Sequence, residues 1–389
     1  MVREQIILKA DAEYRELTNY FVEQKIRKLM LVCGNSVKQL RIGKYLDTLE
    51  ERTGIKVVRF QGFQPNPDYE SVVAGVELFR KEGCELVLAV GGGSAMDVAK
   101  CIKLFATMDE SRSYLEQKIV ANSIKLVAVP TTAGSGSEAT HFAVIYIQGA
   151  KQSIAHESCI PQVVLWDPTV LESLPLYQKK ATMLDALCHA VESCWSVRST
   201  IESRKWALEA IERLCKVRKA YLCDATAKDV MVNAEMLQIA NLAGRAINVT
   251  QTTAGHAMCY KLTGLYQIAH GHAAALCVAR LFPHMIENID KCMDPRGKEY
   301  LQEVLASLAK AMGCENATDA ARFFQELLEE LKMEDIPFAL ERENRSAELN
   351  ILKSSVNLQR LHNHPIALDE TDIEKLYLDL LSKGGSVSV

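Results

Sequence analysis

Up to about residue 175 the chain alternates short apolar runs with amphipathic stretches. Lys28–Cys33, Lys56–Phe60, Leu86–Val90 and Lys125–Val129 are brief, aliphatic and bounded by turn formers, the pattern of strands buried on both faces of a parallel sheet. Between them, Tyr69–Lys81 and Asp97–Ala106 carry apolar residues at helical spacing. This alternation predicts a doubly wound, Rossmann-like α/β domain over residues 1–175. Beyond it the period changes. Leu176–Trp195, Ile201–Lys216, Val230–Ala246, His272–Ile289, Glu299–Met312 and Thr318–Lys332 all have helical spacing with almost no strand signal, so residues 176–389 are expected to form an all-helical domain. Two prolines in Asp167–Pro175 mark the junction, and the tail Gly384–Val389 is expected to fray.

Composition narrows the function classes. A chain of 389 residues exceeds one ordinary core, and 48% hydrophobic with 24% charged residues is the balance of a soluble globular protein. A net charge of −4 without massed Lys or Arg argues against a nucleic-acid partner. No apolar run approaches the roughly 18 residues of a membrane span, and the N-terminus is too short and charged for a secretory signal. A cytoplasmic location away from membranes is expected. Twelve cysteines contain no C-x-x-C pair, so they are expected to be small buried hydrophobes in a reducing compartment.

Three segments carry chemistry. The glycine run Gly91-Gly92-Gly93-Ser94 follows an apolar strand and opens a helix containing Asp97 and Lys100, where bare backbone and free N–H groups suit a phosphate. A second loop, Pro130-Thr131-Thr132-Ala-Gly-Ser-Gly-Ser-Glu138, follows another strand with the same logic, and one shared nucleotide accounts for both. Further on, Asp185 and His189 are spaced i, i+4 on a helix, so carboxylate and imidazole share a face, and His256 and His270 follow. Burying such groups is costly unless a cation compensates them. Three imidazoles and one carboxylate suit iron or zinc better than calcium or magnesium. His272 can compete with His270 for the ion, whereas His284 is expected to be structural.

Gly91-Gly-Gly-Ser-x-x-Asp97-x-Ala-Lys100, the Pro130–Glu138 loop, Asp185-Ala-Leu-x-His189-Ala-x-Glu192, His256 and His270-Gly271, in this order, resemble the iron-dependent (group III) alcohol dehydrogenases. The resemblance covers most of the chain. It implies a dinucleotide-binding domain, a helical domain and an active site in the cleft between them. It implies Fe2+, with Zn2+ as the alternative, held by Asp185, His189, His256 and His270. It further implies that Gly92, Gly93 and Ser94 contact a pyrophosphate, with Asp97 in the same motif. Thr131 and Thr132 would contact the nucleotide further along, and Lys151 the nicotinamide-side ribose. Gly34 stands where NAD-selective relatives carry Asp, and Asn35, Ser36 and Lys38 suit an extra phosphate, which favours NADPH with NADH as the alternative. The implied chemistry is hydride transfer from a nicotinamide to a carbonyl polarised by the cation.

The stretch Ala243–Thr263, continued through Ile268–Ala275, resembles the branch containing phosphonoacetaldehyde reductases, which form 2-hydroxyethylphosphonate. Such an anionic aldehyde needs cations, and Arg245 and Lys261 are the candidates, with a solvated helix face as the alternative for both. Where many alcohol-oxidising members carry a further His, this chain has Met258-Cys-Tyr260-Lys261, leaving Tyr260, His272 or a water as proton donor. The other readings are a general short-chain alcohol dehydrogenase or lactaldehyde reductase, a dehydroquinate-synthase-like lyase, and a non-catalytic metal-binding module. A homodimer is expected, since dimers are common in the family and symmetric pairing is the default.

Overall fold

In a computed structural model, residues 5–336, 345–356 and 361–382 are described; the tail expected to fray lies outside them. The four anticipated strands form the middle and one edge of a six-stranded sheet. Its members are β1 (Ile6–Lys9), β2 (Lys28–Cys33), β3 (Lys56–Phe60), β4 (Leu86–Gly91), β5 (Lys125–Pro130) and, after a hairpin of β6 (Phe142–Ile147) and β7 (Ala150–Ala155), β8 (Val163–Trp166). The order is β1-β8-β5-β4-β2-β3, parallel throughout. From β2 the chain adds β3 on one side and then crosses to β4 on the other. The turns that follow β2 and β4 therefore flank the switch point where α/β sheets bind ligands.

Besides three helices before Tyr69, two strands and a hairpin of this unit were not anticipated. Strand β1 is a largely exposed edge strand whose apolar run, Ile6-Ile7-Leu8, is shorter than those of the central strands. Strand β8 is only four residues long. The antiparallel hairpin turns at Gln148 and Gly149, both at positive φ, as a two-residue primed turn requires. The helices here are α1 (Arg15–Glu23), α2 (Arg41–Asp47), α3 (Leu49–Thr53), α4 (Tyr69–Glu82) and α5 (Gly93–Phe105). Helix α5 starts four residues earlier than its apolar spacing suggested, because the glycine and serine at its head carry no hydrophobic signal.

The remaining helices are α6 (Leu176–Trp195), α7 (Ile201–Leu222), α8 (Val230–Thr250), α9 (Ala254–Tyr266), α10 (His270–Glu287), α11 (Lys298–Met312), α12 (Ala317–Leu331), α13 (Arg345–Ser354) and α14 (Glu370–Ser382). Helices α9, α13 and α14 were not foreseen. The chain divides into two compact units, one running to Leu174 with Asp224–Leu237 added, the other Pro175–Cys223 with the chain from Gln238 onward. At the centre of the second unit is α10, buried from Gly271 to Phe282 and packed on α6, α9, α12 and α14. All twelve cysteines are free thiols. Among the described residues no helix is long and apolar enough to cross a membrane.

Candidate active site

Within the second unit, α6 supplies Asp185 and His189, the first turn of α9 supplies His256, and α10 opens on His270. From Asp185 Oδ1 the three imidazole Nε2 atoms stand at 3.5 Å (His256), 3.8 Å (His189) and 4.0 Å (His270). Ligand atoms on a tetrahedral ion bound at about 2.1 Å are about 3.4 Å apart, so each Asp185–imidazole separation lies within about 0.6 Å of that value. His189 stacks on His256 with ring centroids 4.6 Å apart, and ligand atoms of Asp185, His256 and His270 all lie within 4.8 Å of one another. Asp185 Oδ1 and His256 Nε2 are buried without a hydrogen-bond partner, the condition that a bound cation relieves. Burial acts to raise the Asp185 carboxyl, yet the His189, His256 and His270 imidazoles hold it well below the ordinary carboxylate range.

The set is oriented from behind. Fully buried Glu192, one turn beyond His189, accepts a hydrogen bond from His256 Nδ1, and also from the Thr253 hydroxyl (2.6 Å), Thr253 N–H (3.0 Å) and His256 N–H (3.3 Å). These donors outweigh burial and bring its carboxyl down to about 2. With Nδ1 committed to Glu192, His256 presents Nε2 to the ion. Burial lowers the His256 imidazole, but Glu192 and Asp185 prevail and lift it to about 9. Glu192 stands in the recognised motif, yet only the fold reveals its role.

Close approach of α10 to α6 depends on Gly271. A Cβ there would lie 2.0 Å from the Ala181 carbonyl oxygen and 2.6 Å from Asp185 Cβ. The start of α10 is tied down by Tyr177, whose hydroxyl accepts the Ala269 N–H (3.0 Å) and bonds His272 Nδ1 (3.2 Å). His272 Nε2 in turn pairs with the Met333 carbonyl at 3.0 Å. Both ring nitrogens of His272 are thus engaged away from the cluster and burial lowers its pKa, so it is neither a rival of His270 nor a ready acid.

In the first unit the two phosphate-type loops meet. Gly91 pairs with Pro130, Thr131 N–H donates to the Gly91 carbonyl (3.0 Å), and a Cβ on Gly92 would come within 3.2 Å of Thr132 Oγ1. No side chain caps the first turn of α5, where Gly93 and Ser94 sit, so its N–H groups remain for an anion. Beneath them, fully buried Lys100 donates to Ser137 Oγ (3.0 Å), Thr140 Oγ1 (3.0 Å) and the Phe142 carbonyl (2.6 Å). Asp97 accepts from Ser137 Oγ at 3.3 Å, and burial, opposed by Lys100, lifts its carboxyl to about 6; Lys151 on β7 adds a second positive charge nearby. Gly34 heads the short 3-10 turn Asn35–Gln39 that contains Ser36 and Lys38, and open space surrounds the position of a Cβ there.

The remaining candidates are placed as follows. Tyr260 stacks on His270 with ring centroids 5.6 Å apart. Lys261 is exposed and, five positions from His256, points about 140° away from it around α9. Arg245 is exposed and its guanidinium lies over the Trp206 ring at 4.3 Å.

Residues 4–168 match the family profile described as iron-containing alcohol dehydrogenase, and residues 179–381 match that of the Fe-containing alcohol dehydrogenase family, C-terminal. The chain is 31% identical over 321 residues to phosphonoacetaldehyde reductase of Streptomyces viridochromogenes, covering 79% of each. It is 30% identical over 295 residues to alcohol dehydrogenase 4 of Saccharomyces cerevisiae, covering 74% of this chain and 75% of that protein. Its fold matches that of sulfoacetaldehyde reductase from Bifidobacterium kashiwanohense, solved with NAD+, at a TM-score of 0.83, 24% identity and 97% coverage of both chains. With both halves matched, the chain belongs to the iron-containing alcohol dehydrogenase family and is an enzyme of the alcohol dehydrogenase class.

Proposed function

We propose that the protein reduces phosphonoacetaldehyde to 2-hydroxyethylphosphonate with NADPH or NADH and a divalent iron held by Asp185, His189, His256 and His270. The observation that carries the metal-dependent reaction is the pair of orphaned buried atoms, Asp185 Oδ1 and His256 Nε2, within a ring of imidazoles. Bound there, iron or zinc supplies Lewis acidity toward a carbonyl oxygen, and the nicotinamide supplies a hydride. The chain's own residues do the rest. Asp185 offsets part of the cation's charge, Glu192 fixes the His256 tautomer, the Gly92–Ser94 backbone with Asp97 in the same motif holds the nucleotide's pyrophosphate, Thr131 and Thr132 contact the nucleotide further along, and Lys151 reaches the nicotinamide-side ribose. The Tyr260 hydroxyl gives the proton that completes the alcohol. Gly34, with no side chain to repel a 2′-phosphate, and Lys38 beside it favour NADPH. Similarity to the Streptomyces viridochromogenes enzyme supports the phosphonate substrate. The protein acts as a cytoplasmic homodimer, which light scattering tests.

One observation favours a second reading, a general short-chain alcohol dehydrogenase or lactaldehyde reductase. Arg245 is engaged by Trp206 and Lys261 points away from His256 around α9, which weakens the case for either as the substrate's cation. Reduction rates on the iron-loaded protein decide between them, comparing phosphonoacetaldehyde with lactaldehyde and butyraldehyde. A higher kcat/KM for the phosphonate supports the first reading, and a preference for the neutral aldehydes supports the second. Full activity and metal retention in His270→Ala would sink both.

A further inference from the structure

A cavity of about 440 Å³ lies between α7 and α11, lined by Ile201, Arg204, Lys205 and Leu208 of the first helix and Val304 and Ser307 of the second. Its size is that of a small-molecule site. Cys194, at its floor, is nine positions from Asp185 on α6, about 180° around the helix, so the cavity faces away from the metal cluster.

Two arginines share the ring of Tyr300 here, and their surroundings differ. Arg296, 4.0 Å from the ring centroid, is neutralised by Asp294 (2.6 Å) and also donates to the Ser199 and Ser196 carbonyls. Arg204, 4.9 Å from the centroid, pairs with no carboxylate among the described residues, and its buried Nε has no hydrogen-bond partner among them. Among the described residues no acidic side chain lines the cavity, and Lys205 adds a second cation. The apolar lining includes Ile201, which is 83% exposed in the first turn of α7. An unneutralised guanidinium with an orphaned donor beside uncovered aliphatic surface lacks an anion with a hydrocarbon portion.

We infer that this cavity binds a small amphipathic anion, its carboxylate or phosphate on Arg204 and Lys205 and a short alkyl chain against Ile201, Leu208 and Val304. The site is separate from the proposed catalytic centre and does not depend on the substrate assignment.

Ligand-observed NMR titration of the full-length, metal-loaded protein with hexanoate, hexyl phosphate and hexan-1-ol tests it. Both anions are expected to bind at least about tenfold more tightly than the alcohol, and Arg204→Gln to weaken them by about tenfold or more. Ser307→Asp, a change at an exposed position that places a carboxylate at the rim, is expected to weaken them similarly without lowering the melting temperature. The tighter of the two anions identifies the headgroup. Failure of both anions to bind, or affinity unchanged in both variants, would overturn the inference. Binding lost in His270→Ala but kept in Arg204→Gln would also overturn it, since the anion would then sit at the metal cluster.

Discussion

Glu192 holds His256 from the side opposite the cation, through a hydrogen bond to Nδ1 buried at both ends. Its other oxygen collects three further donors, two from Thr253 and one from the His256 backbone. A glutamine has one acceptor oxygen and must turn its amide N–H toward groups that also donate. Glu192→Gln is therefore expected to lower Zn(II) affinity about 10- to 100-fold in a chelator competition, independently of any turnover assay. Unchanged affinity would show that the tautomer is fixed some other way.

Gly271 sets the spacing of two ligand-bearing helices. With a Cβ 2.0 Å from a backbone oxygen, Gly271→Ala forces α10 off α6 at Asp185. Overpacking of this kind costs about 1–3 kcal/mol, and here it also opens the ligand set. A lower melting temperature together with faster metal loss to a chelator is expected; a normal melt with normal retention would contradict the geometry.

Tyr177 acts at lower cost. Its bonds to Ala269 and His272 are partly open to water, so Tyr177→Phe is expected to remove no more than about 1 kcal/mol of stability. Because Ala269 precedes His270, the effect falls on the ligand. A several-fold drop in metal affinity with a nearly unchanged melting curve is the expected pair of readings.

His364 gives the fold a pH dependence. It is fully buried, neither ring nitrogen has a hydrogen-bond partner among the described residues, and its ring meets Trp195 edge-on at 6.2 Å. Burial lowers its pKa from 6.5 to about 3, Glu192 pulling the other way and His284 with burial. The unfolded chain takes up this proton below about pH 6.5 and the folded one does not, so stability falls with acid by up to about 1.4 kcal/mol per pH unit until about pH 3. In denaturant titrations between pH 7 and 4, His364→Leu is expected to flatten that slope. An equal slope in both proteins would assign the loss to other groups.

Much of this was legible in the sequence where the signal is local. Four strands and eight helices follow from apolar period, and Asp185 and His189 stand out as candidate ligands by their i, i+4 spacing. What escaped depends on partners distant in the chain. Glu192 needs α9 to arrive, His272 is claimed by Met333, and Arg245 by Trp206 on another helix. Strand β1 escaped because its apolar run is only three residues long, and α9 because its small and polar residues blur the helical period.

Lys100 fastens the Ser137–Phe142 end of the second loop to the helix that begins with the first. The loops are consequently in place before any dinucleotide arrives, and the entropy of ordering them falls on folding rather than on association. A dinucleotide then docks in one kinetic phase whose rate climbs linearly with concentration in stopped flow, whereas Lys100→Met introduces a slower, concentration-independent step as the untethered segment settles around its guest.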